Sequence, residues 1–361
     1  MRSVIDILDL TVEEIDELIS TACDIMEHPE AYATAARGKK LATLFYEPST
    51  RTRLSFEAAM YELGGHVIGF SDEKSSSAAK GESVSDTIRM MACYADIVAM
   101  RHHKEGAAWV ASQTGGIPII NAGDGGHFHP TQTLADLCTI YKEKGHFDNL
   151  TVGFCGDLKY GRTVHSLINA LSRYENVRVI LVSPEELKLP SYIKQTALKD
   201  KHRSYLQKTD LEEVLPELDV LYMTRIQRER FDNPAAYERL KSTYELNAAK
   251  LANAKSDLCI MHPLPRVDEI STDVDTDPRA CYFKQALYGK FMREALILKL
   301  LEEAKDPSVK PGRDFGDVLV NEKRCKNPRC ITAAEPLDHL FWLADPTNRT
   351  WRCVYCESKE E

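Results

Sequence analysis

Eight short apolar runs, alternating with helical stretches, constrain this chain more than any other feature. They are Leu41 to Tyr46, His66 to Phe70, Ile97 to Met100, Ile117 to Asn121, Leu150 to Cys155, Val177 to Val182, Asp219 to Met223 and Leu258 to Met261. Runs of this length read as buried strands, and their alternation with helices reads as parallel sheets wound on both faces. Polar residues able to do chemistry gather where the runs stop, which is where open α/β sheets hold ligands. The 361 residues leave room for more than one such sheet. The expected fold is α/β, with two doubly wound parallel-sheet domains facing one cleft and a small module after them.

The first run ends most tellingly. Pro48 forbids the strand from continuing in a sheet interior. Ser49 suits the cap of a helix running from Thr50 to Leu63 and halted at Gly64-Gly65. Arg51 and Arg53 then lie in its first turn, where the helix dipole is already positive and carboxylates are favoured. Arg53 has a partner in Glu57, four residues on. Arg51, with the hydroxyls of Ser49, Thr50 and Thr52 and the first backbone N–H groups, reads as a phosphate-binding helix start. Arg101 stands at a second strand exit. A third leads through Gly123-Asp124-Gly125-Gly126 to His127-Phe128-His129-Pro130. Pro130 fits the first position of a helix. His129 is therefore held at a positive helix end, which disfavours imidazolium. A neutral imidazole there can donate a hydrogen bond to a carbonyl oxygen as charge develops on it. His127 receives no role. Ser71 to Gly81, serine-rich and carrying Lys80, reads as a mobile surface loop able to clamp an anion.

Past the fifth run, Gly153-Phe154-Cys155-Gly156 lacks the spacing of a dinucleotide fingerprint, and Lys159-Tyr160 fills the turn. Arg162 opens the next helix, again a cation at a positive helix end, and a bound carboxylate would explain it. The seventh run ends in Thr224-Arg225-Ile226-Gln227, where Arg225 offers a forked donor and Gln227 a neutral amide. Arg228 and Arg230 continue into a charged loop.

A long helix from Gln285 to Ala304 precedes a Pro/Gly linker beginning at Asp306-Pro307. Cys325-x4-Cys330 and Cys353-x2-Cys356 follow, a spacing that predicts a four-thiolate structural zinc site. A tail of about 40 residues with few apolar side chains cannot easily fold alone, so the metal would supply the missing free energy. The other cysteines, Cys23, Cys93, Cys138, Cys155, Cys259 and Cys281, read as buried reduced thiols.

Seven segments carry a resemblance to the transcarbamoylase family. They are Ser49-Thr50-Arg51-Thr52-Arg53, Lys80-Gly81-Glu82, Met100-Arg101-His102, His129-Pro130-Thr131-Gln132, Gly156 to Thr163, Met223 to Gln227 and His262-Pro263-Leu264-Pro265-Arg266. Within the family the chain is similar to the aspartate carbamoyltransferases over residues 1 to about 305. The resemblance implies transfer of a carbamoyl group from carbamoyl phosphate to L-aspartate, the committed step of pyrimidine synthesis. It assigns carbamoyl phosphate to Ser49, Thr50, Arg51, Thr52, Arg101, His129, Gln132, Leu264 and Pro265. Ser76 or Ser77 and Lys80 would come from a neighbouring subunit, which implies a homotrimer with shared sites. Aspartate falls to Lys80, Arg162, Arg225 and Gln227, and Arg51, Thr52, Arg101 and His129 are the catalytic set. Arg230 would hold the closed cleft, with Glu47 a candidate partner. The implied domains are 1–145 with a returning helix at 285–305, then 146–284, a linker at 306–322 and a zinc domain at 323–361. The tail resembles the zinc domain of the regulatory chain of aspartate carbamoyltransferase, which docks on catalytic chains, so subunit contacts and a higher assembly through it are implied. The linker is too short for the nucleotide-binding domain that normally precedes that zinc domain, so no effector site of the usual kind is expected.

Aspartate is preferred as acceptor because Arg162 and Arg225 match two carboxylates, whereas ornithine would need an acidic partner for its distant ammonium. Pro263 also stands where ornithine enzymes resemble a cysteine-leucine pattern. A different amine acceptor, or a non-catalytic scaffold carrying the zinc module, are the alternatives. The net charge of −9 argues against nucleic-acid binding. No apolar run approaches the ~18 residues of a membrane span, and the N-terminus lacks a signal-peptide core, so a cytoplasmic location is expected.

Overall fold

The computed structural model describes residues 2–198, 205–226, 237, 244–306, 308, 313 and 315–360. They fall into two compact units, Met1–Thr131 with Lys290–Glu361, and Gln132–Gly289.

The first unit is built on a parallel sheet in the order β2-β1-β3-β4, formed by β1 (Lys40–Phe45), β2 (His66–Phe70), β3 (Ile97–His102) and β4 (Ile119–Asp124). Leu41, Ala42, Leu44 and Phe45 of β1 are all sealed from solvent, as a central strand with both faces covered requires. Its helices are α1 (Val12–Glu27), α2 (Pro29–Tyr32), α3 (Thr50–Glu62), α4 (Val84–Ala92) and α5 (Ala107–Ser112). The expected capping box is formed at α1, with Thr11 and Glu14 satisfying each other's backbone N–H groups. Ile15, Leu18, Ile19 and Ala22 are its buried stripe. Ser83 caps α4, accepting from Asp86 N at 3.1 Å.

The second unit holds a five-stranded parallel sheet in the order β7-β6-β5-β8-β9. Its strands are β5 (Thr151–Cys155), β6 (Arg178–Val182), β7 (Tyr205–Lys208), β8 (Val220–Met223) and β9 (Cys259–Met261). The helices are α6 (Pro130–Lys144), α7 (Arg162–Leu171), α8 (Ser191–Ala197) and α9 (Tyr282–Glu303), with the unit division running inside α6 and α9. Helix α9 begins three residues ahead of the expected Gln285, since Tyr282 is buried and already helical.

The tail adds an antiparallel sheet, β10 (Val318–Val320), β11 (Leu340–Asp345) and β12 (Thr350–Cys353), in the order β10-β11-β12. It belongs to the first unit and packs on its own chain. Cys330, Ile331, Phe341 and Tyr355 share one apolar cluster with Val84, Ile88, Ala107, Val110 and Ala111 of α4 and α5. The Tyr355 and Trp109 rings meet edge to face, with centroids 5.1 Å apart.

The expectation that all six scattered cysteines are buried changes. Cys93 is exposed and Cys23 half-buried. Cys93 sits at the C-cap of α4, where the chain turns outward. The serine-rich segment is folded into two 3-10 turns, Glu73–Ser75 and Ser77–Lys80, capped by Asp72 and Ser76.

Candidate active site and metal centre

In the first unit, three strand exits bring the predicted residues to one end of the sheet. The register sets Phe45 beside Arg101, and Tyr46 N donates to Arg101 O at 2.9 Å. Beyond β1 the chain turns into α3, whose first turn holds no acidic residue. Ser49 occupies the N-cap position, with φ −152° and ψ 83°, but its hydroxyl makes no cap hydrogen bond. The expected closure of the helix start by Ser49 is therefore absent. Arg51 is exposed, and Arg53 Nε donates to Glu57 Oε1 at 2.7 Å as its spacing requires. Arg101 points along the same edge, with Nε donating to Glu47 Oε1 at 2.7 Å and Nη1 3.5 Å from Ala122 O. Glu47, expected opposite Arg230, is thus engaged by Arg101.

The exit of β4 carries His129, which is buried, with Thr131 Oγ1 3.4 Å from its Nδ1. The loop before it is fastened by Asp124, a fully buried carboxylate that the sequence did not single out. Asp124 accepts from Gly106 N at 2.8 Å, Asn121 Nδ2 at 3.0 Å and Phe128 N at 2.9 Å. His127 Nδ1 lies 3.1 Å from its Oδ2. Burial disfavours charge on both partners, yet their attraction wins. The carboxyl of Asp124 is held below its usual range, and the imidazole of His127 is raised to about 9. The signal for this pair was a histidine three residues after an aspartate in a glycine-rich turn. Lys80 and Ser77 are exposed and Ser76 is half-buried.

In the second unit, Arg162 is the first residue of α7 and Arg225 follows β8, both half-buried. Gly156 lies between β5 and that helix with φ +115°, and a Cβ there would fall 2.4 Å from Thr224 O, so only glycine fits. Asp157 N donates to Thr224 Oγ1 at 2.9 Å, and the Asp157 carboxylate accepts from Lys159 N and Tyr160 N. The β5 and β8 exits are thereby tied together. Past β9, His262 is buried between two partners: Leu264 N donates to its Nδ1 at 2.7 Å, and its Nε2 lies 2.7 Å from Glu269 Oε1. Glu269 Oε2 accepts from Val267 N and Asp268 N. This network holds Leu264 at φ +51°, an unfavourable setting for a branched side chain. Gln132 Nε2 donates to Asp136 Oδ1 at 2.7 Å. Gln227, Arg228 and Arg230 lie outside the described residues.

In the tail, the Sγ atoms of Cys325, Cys330, Cys353 and Cys356 all lie within 4.8 Å of one another. Cys325 and Cys356 are 3.6 Å apart, and Cys330 and Cys353 4.0 Å. Sulfurs about 3.8 Å apart are what a tetrahedral ion with ~2.3 Å metal–sulfur bonds demands. A disulfide would need about 2.05 Å. The residues present therefore fit a four-thiolate metal ion. Thr332 Oγ1 lies 3.2 Å from Cys330 Sγ and Ser358 Oγ 3.3 Å from Cys356 Sγ, placing hydroxyl donors on the sulfurs. The same segment grips the first unit's surface. Asn327 Nδ2 donates to Glu105 Oε2 at 2.6 Å, Arg329 Nε pairs with Glu105 Oε1 at 3.1 Å, and Val84 N donates to Glu335 Oε1 at 2.8 Å.

Comparison with known proteins matches three family models. Residues 2–142 match the carbamoyl-P binding domain of aspartate/ornithine carbamoyltransferase, and residues 148–300 its Asp/Orn binding domain. Residues 318–361 match the metal binding domain of the aspartate carbamoyltransferase regulatory chain. The aspartate carbamoyltransferase catalytic subunit of Lachnoclostridium phytofermentans is 60% identical over 301 residues, covering 83% of this chain and 98% of its own length. That of Clostridium novyi is 59% identical over 300 residues, with the same coverage. Among solved structures, the catalytic subunit of M. jannaschii aspartate transcarbamoylase superposes with a TM-score of 0.79 at 49% identity, covering 85% of this chain and all of its own. Aspartate transcarbamoylase from Trypanosoma cruzi, in complex with N-(phosphonacetyl)-L-aspartic acid, gives 0.78 at 40% identity, with coverage of 82% and 95%.

Proposed function

The chain belongs to the aspartate/ornithine carbamoyltransferase family, and from that premise we propose that it transfers the carbamoyl group of carbamoyl phosphate to the α-amine of L-aspartate. The products are N-carbamoyl-L-aspartate and phosphate, a step of pyrimidine synthesis. The observation that carries this reading is the acid-free start of α3, with Arg51 and three hydroxyl residues, set at the same sheet end as Arg101 and His129.

Phosphate binds at Ser49, Thr50, Arg51, Thr52 and Arg101, with Ser76 or Ser77 and Lys80 supplied by a neighbouring subunit of a homotrimer. His129 and Thr52 hydrogen-bond to the carbamoyl carbonyl oxygen, which gains charge as the amine attacks. Gln132 and the backbone of Leu264 and Pro265 receive the carbamoyl NH2. Arg162 and Arg225, with Gln227, hold the carboxylates of aspartate. The neutral amine forms the new C–N bond, the C–O bond to phosphate breaks, and the departing phosphate takes the amine proton. No side chain acts as a dedicated base, so rate comes from positioning and electrostatics. The domains are 1–145, 146–284 and a zinc-binding 323–361, the location is cytoplasmic, and the protein binds neither nucleic acid nor membrane. Among the described residues, no helix is long and apolar enough to cross a membrane.

The metal is one zinc per chain, held by Cys325, Cys330, Cys353 and Cys356. It supplies fold, not chemistry, since four thiolates leave no open position. To test the site, Arg51→Ala and Lys80→Ala chains are assayed for ureido product. Each alone should lose on the order of one hundred-fold in rate, the loss of a few kcal/mol of transition-state binding. Mixed trimers should regain activity, because one intact site can form from the undamaged halves. Near-normal turnover by Arg51→Ala, or no recovery in a verified mixed trimer, would contradict the assignment.

A further inference from the structure

One buried carboxylate in the second unit takes no part in the proposed reaction. Asp136, on α6, is fully buried and receives donors from three directions. Gln132 Nε2 lies 2.7 Å from its Oδ1, Gln285 Nε2 2.6 Å from the same oxygen, and Tyr222 OH 2.9 Å from its Oδ2. The three come from one turn earlier on α6, from α9 and from β8. Gln285 is fixed at its other end as well, since its Oε1 accepts from His262 N at 3.0 Å. The backbone N–H of His262 can only donate, so Gln285 is fixed with Oε1 on it and its NH2 on Asp136, and Gln132 places its own NH2 on the same accepting oxygen.

The consequence lies with Gln132. One of its two N–H groups goes to Asp136, which fixes the flip of the amide and leaves Oε1, which can only accept, at the end turned away from that carboxylate. We propose that Asp136 is a positioning residue that fixes the Gln132 amide with its carbonyl oxygen toward the substrate, and that this makes the site choose a carbamoyl NH2 over the methyl group of an otherwise similar acyl phosphate. A carbamoyl NH2 donates to Oε1, whereas a methyl leaves that half-buried acceptor unpaired, which is the situation that gives strong discrimination. The link through Gln285 to His262 also joins this residue to the loop carrying Leu264. The inference rests on Gln132 being the carbamoyl contact of the proposed function.

The test compares dissociation constants for carbamoyl phosphate and acetyl phosphate, titrated calorimetrically into the full metal-loaded chain. Their ratio does not depend on the fraction of folded protein. The wild type should prefer carbamoyl phosphate. Asp136→Ala frees the Gln132 amide to turn, and the ratio should fall at least tenfold. Asp136→Asn should keep most of it, because an amide oxygen can replace Oδ1 while the Tyr222 hydroxyl turns to accept from the new NH2. A folded Asp136→Ala chain with the wild-type ratio would overturn the proposal and leave Asp136 a purely structural residue. If Asp136→Ala does not fold, Gln132→Glu decides. Two ionised carboxylates facing each other repel and turn the new side chain away, and uptake of one shared proton restores the pairing, so discrimination should be poor where both are ionised and recover as pH falls. A pH-independent ratio would overturn the proposal. A wild type that binds both ligands equally also overturns it, while a wild type that binds neither removes the functional reading beneath it.

Discussion

His127 and Asp124 show at single residues how burial and charge compete. The imidazole is raised to about 9 although burial opposes its charge, because Asp124 lies against Nδ1 and Glu357 and Glu105 add negative potential. Its Nε2 is buried without a hydrogen-bond partner among the described residues. A histidine whose folded pKa is raised binds its proton more tightly when folded, so its contribution is complete below about pH 6.5 and is lost as pH rises through about 9. Wild type should therefore exceed His127→Gln in stability by on the order of 3 kcal/mol at pH 6 and by little above pH 9.5, read from denaturation midpoints. Asp6, pushed up to about 7 by burial and the charges of Glu357 and Asp9 and drawn down in part by His127, titrates in both proteins. A stability difference that is constant from pH 6 to 9.5 would refute the pairing. The sequence showed Arg51, Arg101 and His129 because each breaks a local rule or stands at a strand exit. Asp124 left only one trace, the histidine three residues on, and Asp136 none, since a buried carboxylate is recognised mainly by the donors that folding brings to it.

Among elements, the strands that carry the site were legible because each is a continuous apolar run sealed on both faces. Strand β7 was missed for the opposite reason: it is a polar, partly exposed edge strand. Helix α5, six residues long, is too short to show a period. The cysteine spacing disclosed the metal site, but not where the module sits. That depends on the apolar faces of α4 and α5, which it covers, and on Glu335 at the N-terminus of α4, where an acceptor satisfies a backbone N–H otherwise left over. Removing the metal with a chelator should melt β10 to β12 and uncover those helices. Hydrogen exchange over residues 84–92 and 107–112 should then rise together with that of the tail. Unchanged protection of both helices would mean that the module's fold and its docking do not depend on the metal.

On the scale of the molecule, sequence alternation sufficed for two parallel α/β sheets, and the family motifs for the reaction. The packing of the tail on its own chain needed the structure. Aspartate carbamoyl transfer is tested most directly by phosphate release from carbamoyl phosphate by the purified, metal-loaded protein, run in parallel with aspartate, with ornithine and with no acceptor. Release that depends on aspartate alone is the predicted result. Release with ornithine alone, or equal release in all three, would contradict it and overturn the roles given to Arg162, Arg225 and Gln227.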